Sequence, residues 1–266
     1  MPLQITRAPL ASGCVETWTL NDPASRNALS EAMVDALLAA CERAATDADL
    51  RGVVLRGAGG HFCAGGSLGG FAKTIGQPLA AGEADPLVPL NRRFGALLQA
   101  LRELPQWLIV AVEGAAMGGG FGLVCCADQV LAHSGAQFAT PEVTLGIVPA
   151  QIAPFVVRRL GPSAARRCLL TGERWDAAAA QRLGLVDDLV EGDMNVALQV
   201  AIARHAAAAP QAVAATKRLL LAQPETPLPA LLDEAAIAFS QALRGLEAPQ
   251  GLAAFAARKA PPWSAT

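Results

Sequence analysis

Apolar and polar residues alternate over the first part of this chain and then give way to helical spacing. Between residues 13 and 20, Val15, Thr17 and Thr19 alternate with Glu16, Trp18 and Leu20, which predicts a first strand. Asn21-Asp22-Pro23 predicts a turn. Met33, Leu37, Cys41 and Ala44 recur on one helical face, after Ser30 and Glu31, so Ser30 is expected to cap a helix. Val53-Val54-Leu55 predicts a short buried strand closed by Gly57, Gly59 and Gly60. Residues 71–90 carry Pro78, Pro86 and Pro89 without a period and read as a loop or broken helix. Phe94, Leu97, Leu98 and Leu101 restore helical spacing from Asn91 to Leu104.

The run Leu-Ile-Val-Ala-Val from Leu108 predicts another buried strand, and Gln129-Val130-Leu131-Ala132 one more. Pro141 excludes an ordinary helix interior over 137–149. After Pro149 the pattern is helical to the end, with segments at 151–160, 163–170, 176–183, 194–208, 210–222 and 228–245. Strands alternating with helices, followed by helices alone, predict an α/β core over 1–200 and a helical region over 201–266.

Between the strand at Leu108 and the next apolar run lie Gly118, Gly119 and Gly120. Each glycine weakens a helix start by roughly 1 kcal/mol relative to alanine. Two compensations fit: a turn packed too closely for a side chain, or bare backbone N–H groups brought against a ligand oxygen. His61 to Gly70 holds more glycine than a turn needs.

Composition narrows the field. With 53% hydrophobic and 17% charged residues, some apolar surface is expected to be shared between subunits. A net charge of −2 without a basic block argues against nucleic acid as a partner. The first ten residues lack a secretion pattern, and no apolar run reaches transmembrane length, so a cytoplasmic protein with no membrane partner is expected. The six cysteines show no metal spacing and read as reduced thiols.

Three segments then carry a resemblance. Phe62-Cys63-Ala64-Gly65-Gly66, Met117-Gly118-Gly119-Gly120 and Gln137-Phe138-Ala139-Thr140-Pro141-Glu142 occur in the order and spacing of the crotonase (enoyl-CoA hydratase/isomerase) superfamily. Arg26-Asn27-Ala28-Leu29 and Leu170-Thr171-Gly172 add to it, and the likeness runs from about Arg26 to the Phe255–Trp263 tail. It implies an α/β spiral of ββα turns with a helical C-terminal trimerisation region, a homotrimer or hexamer, and an acyl-CoA thioester substrate. No metal or redox cofactor is implied, since coenzyme A belongs to the substrate.

By motif position, the backbone N–H groups of Gly66 and Gly119 would hold the thioester oxygen. Two preorganised donors favour an enolate-like state over the neutral carbonyl, and one such donor is worth about 3–4 kcal/mol. The resemblance also implies CoA contacts at Arg26, Ala64, Gly65 and Leu68. Hydratases of the family usually carry two glutamates. The Pro-Glu one is Glu142, whose apolar neighbours should raise its pKa towards proton transfer near neutral pH. Gly122 stands at the other position, where it is expected to enlarge the site for a branched acyl group. Ser67 replaces a usual acidic residue.

Gln151-Ile152-Ala153-Pro154-Phe155 replaces a glycine-rich segment. With Gly122 it is similar to bacterial hydratases of branched glutaconyl-CoA esters, the methylglutaconyl and isohexenylglutaconyl types, and it places Gln151 at the substrate. The reading is an enoyl-CoA hydratase for a branched or carboxylated substrate. Its rivals are an enoyl-CoA isomerase using Glu142 alone and a catalytically silent acyl-CoA-binding protein. Asp128, Arg158, Arg159 and His61 are expected to be structural. Leu228, Leu231, Leu232, Ala235, Phe239 and Leu243 form an apolar helical face expected to serve core or subunit contact.

Overall fold

The structure is a computed structural model that describes residues 1–66, 75–79, 82–223 and 225–264. Its largest sheet has six strands in the order β1-β2-β3-β4-β6-β9. They are β1 (Leu3–Pro9), β2 (Cys14–Leu20), β3 (Leu50–Gly57), β4 (Trp107–Val112), β6 (Gln129–His133) and β9 (Asp188–Val190). β1 runs antiparallel to β2, and each later neighbour is parallel. β4 is buried at every residue and β3 at its first six, as expected for central parallel strands covered on both faces. A smaller sheet joins β5 (Ala115–Met117), β7 (Gln137–Ala139) and β8 (Trp175–Asp176) in that order.

The helix predicted after Ser30 is α1 (Glu31–Thr46), and the Ser30 side chain accepts from the Met33 N–H at 3.2 Å. Met33, Leu37, Cys41 and Ala44 are all buried against the sheet. α2 (Leu87–Glu103) starts earlier than its spacing suggested, with Pro89 inside. A proline in the first turn forfeits no intrahelical hydrogen bond, because the first four N–H groups have no partner there. α3 (Gly119–Val124) follows the glycine turn directly.

The later segments are α4 (Ala153–Thr171), broken by non-helical Gly161 before Pro162, α5 (Ala177–Arg182), α6 (Met194–Ala206), α7 (Pro210–Ala222), α8 (Leu228–Arg244) and α9 (Glu247–Ala256). Two expectations need correction. β1 precedes the strand taken as first, and β8 and β9 interrupt the stretch read as helical to the end. β1 buries only Leu3, so it shows no alternation, and β8 and β9 are too short to show a period.

α7 is fastened to the core by polar groups. Lys217 Nζ donates to Asp128 Oδ2 at 2.6 Å and to the Gln106 carbonyl at 2.9 Å, and Asp128 Oδ2 also accepts from the Leu108 N–H at 2.7 Å. Asp128 is thus structural, as expected. Arg158 pairs with Glu225 and Arg159 with Asp187 at 2.7 Å, so both arginines are also committed. Among the described residues, no helix is long and apolar enough to cross a membrane.

Candidate active site

Backbone hydrogen bonds wire the three sequence motifs into one site. The Ala64 N–H donates to the Arg26 carbonyl at 2.9 Å, and the Leu29 N–H to the Gly65 carbonyl at 2.8 Å. The same loop meets the glycine turn. Cys63 donates to the Ala115 carbonyl and Met117 to the Cys63 carbonyl, each at 2.9 Å. Gly118 then donates to the Ala139 carbonyl at 2.9 Å, tying the turn to the strand that leads into Glu142. Asn27 supports the first loop from below. It is fully buried at φ 59°, accepts from the Asp22 N–H, and donates to the Ala58 and His61 carbonyls at 2.9 and 2.8 Å.

Two glycines are required by this wiring. Gly65 has φ +98°, and a Cβ there would lie 2.8 Å from the Met117 carbonyl oxygen. Gly118 has φ +50° and ψ −115°, and its Cβ would lie 2.8 Å from Glu142 Oε1. Both are conformations L side chains rarely adopt. The packing explanation of the triplet therefore holds at Gly118, where bare backbone lets two loops and the Glu142 carboxylate meet. Among the described residues, neither the Gly66 nor the Gly119 N–H donates to a protein acceptor. A Cβ on Gly66 would meet nothing within 4 Å.

These groups face one cavity of about 490 Å³. Ala64, Gly65, Gly66, Gly118, Gly119, Glu142 and Gln151 all line it, so most of the expected site residues converge. Glu142 is the second residue of a 3₁₀ turn over Pro141–Leu145, which Gly146 closes at φ 73° with its N–H directed at the Glu142 and Val143 carbonyls. Its Oε2 is buried with no hydrogen-bond partner among the described residues. Burial pushes its carboxyl above the usual glutamate range, and a hydrogen bond from its own backbone N–H offsets only part of that shift. The cavity thus holds a carboxylate biased towards the neutral form beside two bare N–H donors. That set can stabilise charge on one oxygen and move a proton at a neighbouring carbon.

Other expectations fare differently. Arg26 contributes its carbonyl, and its side chain is not among the groups lining the cavity. Leu68 and Ser67 lie outside the described residues. His61 accepts from the Ala115 N–H through Nδ1 at 3.3 Å and does not reach the cavity, which makes it a structural loop residue. Gly122 needs correction. It is buried and absent from the lining, and Ile152 fills the space a side chain there would take, so the glycine does not enlarge the cavity.

Several cavity groups carried no sequence signal of their own. Leu90 and Phe94 face it from α2, and Asn91 holds Gln151 across the gap, with Gln151 Nε2 donating to Asn91 Oδ1 at 2.9 Å. Leu145, Ile147 and Val148 form an exposed apolar lip. Phe94 was legible as part of a helical face, but not as the part that meets Gly119.

The enoyl-CoA hydratase/isomerase family model matches residues 11–266. The chain belongs to that family. It is 35% identical to the 2,3-dehydroadipyl-CoA hydratase of Escherichia coli strain K12 over 248 residues, covering 91% of this chain and 92% of that one. Among solved structures, it is similar to Pseudomonas aeruginosa AtuE at 44% identity, with a TM-score of 0.92 and all of both chains covered. An enoyl-CoA hydratase/isomerase from Marinobacter aquaeolei aligns at 41% identity and a TM-score of 0.92, covering 98% of each chain. The crotonase fold expected from the three motifs is therefore present.

Proposed function

We propose that this protein is an enoyl-CoA hydratase acting on a branched or carboxylated enoyl-CoA. The observation that carries the reading is the cavity itself, where the Glu142 carboxyl and the Gly66 and Gly119 N–H groups, which have no acceptor among the described residues, stand around one space. The thioester oxygen accepts from both N–H groups, which lowers the energy of the enolate that forms when C3 is attacked. The Glu142 carboxylate takes a proton from water as its oxygen bonds to C3. The same carboxyl then returns that proton to C2 as the enolate collapses. Water is added across the double bond, and Glu142 ends as it began. Its raised pKa suits both halves of that cycle.

The apolar lip of Leu145, Ile147 and Val148 supports a substrate with a bulky apolar tail. CoA arrives with the substrate, so the reading needs no metal or redox cofactor. The exposed apolar residues of α8 and α9, among them Leu228, Leu232, Phe239 and Phe255, support association into a trimer or hexamer. The net charge of −2 and six reduced cysteines suit a cytoplasmic enzyme that binds no nucleic acid.

A second reading has its own support. Ile152 occupies the space a side chain on Gly122 would take, so α3 presents no carboxylate beside Glu142, and one carboxyl suffices to move a double bond. The test is a turnover panel of straight-chain, methylglutaconyl and isohexenylglutaconyl CoA esters, with 3-enoyl-CoA included. The hydratase reading expects hydration fastest on an ester carrying its own carboxylate. Conversion of 3-enoyl-CoA outpacing every hydration would favour an isomerase. Tight binding without turnover would favour a silent acyl-CoA-binding protein.

A further inference from the structure

Gly122 and Ile152 form one packing unit. A Cβ on Gly122 would lie 2.5 Å from Ile152 Cγ2 and 3.2 Å from Ile152 Cβ, with Leu98 Cδ1 at 3.6 Å. The Gly122 N–H bonds the Gly118 carbonyl at 3.1 Å, so this contact lies one helical turn beyond the proposed oxyanion donor. Ile152 lines the cavity and is only 3% exposed, whereas Leu98 is fully buried behind it and does not line it. Side-chain volume absent from α3 is thus supplied by the residue that starts α4.

We infer that Ile152, seated on Gly122, sets the width of the acyl end of the cavity and so selects the shape of the acyl group. The inference rests on the acyl-CoA reading above. Ile152 is well placed for this task. Its carbonyl holds the Val156 N–H at 3.0 Å, and the preceding Gln151 is tied to Asn91 on α2, so its backbone is fixed on both sides. A β-branched side chain has little freedom at χ1, so the wall it forms is stiff. Phe94 and Leu90 line the same cavity from α2.

The geometry gives the two positions opposite signs. Trimming Ile152 opens the cavity towards Gly122 and Leu98, into apolar space. Adding a methyl at Gly122 drives Ile152 into the cavity and narrows it. A contact serving the fold alone would cost stability at both positions without moving acyl preference in opposite directions.

The test is calorimetric binding of two unreactive saturated thioesters, butanoyl-CoA and a 3,3-dimethylbutanoyl-CoA of greater width, to the unaltered protein and three variants. Ile152→Ala should raise the affinity ratio of wide to narrow ester by about tenfold, the scale of one or two methylenes in an apolar pocket. Gly122→Ala should lower it, and the double variant should return towards the unaltered ratio. Ile152→Val, a smaller change, should move the ratio in the same direction as Ile152→Ala and keeps the test sharp should Gly122→Ala fail to fold. An unchanged ratio in the Ile152 variants would overturn the inference while leaving the acyl-CoA reading intact. An unaltered protein that binds neither ester would overturn that reading itself.

Discussion

Glu142 is an expensive residue to keep where it is. Its carboxyl is partly withdrawn from water and Oε2 has no hydrogen-bond partner among the described residues, so the charged form is disfavoured and the pKa rises. A carboxyl raised in the folded protein above its unfolded value weakens the fold at pH values above the raised pKa. That loss is recovered as the pH falls through the raised value towards the ordinary 4.5. Glu142→Gln should therefore match or exceed the unaltered protein in melting temperature at pH 7, and the gap should shrink on acidification. Melting curves at several pH values read this directly; a variant less stable at pH 7 would contradict it. The raised pKa of Glu142 was legible from its apolar neighbours around Pro141-Glu142. The packing of Ile152 on Gly122 was not. The missing glutamate at Gly122 is visible in the sequence, but what fills the gap comes from far along the chain and is fixed only by packing.

At the scale of elements, the site depends on a turn with no room for side chains. Gly118 holds φ +50° with its α-hydrogens against Glu142 Oε1. Gly118→Ala should cost about 1–3 kcal/mol of backbone strain and displace the carboxylate. The expected result is a folded protein by circular dichroism whose kcat has fallen far more than its stability; unchanged kcat would contradict the placement. The docking of α7 makes a separate prediction. Lys217 is 7% exposed and holds both Asp128 and the Gln106 carbonyl, while the Asp128 carboxylate keeps access to water, so Lys217→Met should cost about 1.5–3 kcal/mol in urea unfolding. A change within about 0.5 kcal/mol would mean the pair is idle. Elements with a strong period, such as α1 and the buried strands, could be read in advance. β1 could not, because an edge strand exposed on both faces leaves no alternation. The start of α2 was obscured by Pro89, which the first turn of a helix tolerates.

At the scale of the molecule, the chain hides its thiols and exposes apolar helices. All six cysteines are buried and free, and burial lifts Cys41 and Cys63 to about 12 and Cys168 to about 11. Ellman's reagent should therefore find almost no fast-reacting thiol until the protein unfolds; rapid labelling of the folded state would contradict that burial. On α8 and α9, Leu228, Leu232, Ile237, Phe239, Leu252 and Phe255 are exposed in the single chain. Light scattering should return three or six times the 27.3 kDa chain mass, and a monomer would contradict the proposed association. The surplus of apolar residues made an exposed apolar surface legible in composition, whereas its place on α8 and α9 was not.

The central claim is that Glu142 moves the proton for a substrate held by the Gly66 and Gly119 N–H groups. The most direct test is steady-state hydration by Glu142→Gln, using the enoyl-CoA that the unaltered protein turns over fastest. The amide keeps the shape of the side chain and removes its ability to cycle a proton. A fall in kcat of roughly 10³-fold with KM little changed is the expected result. Hydration at an unchanged rate would contradict the account.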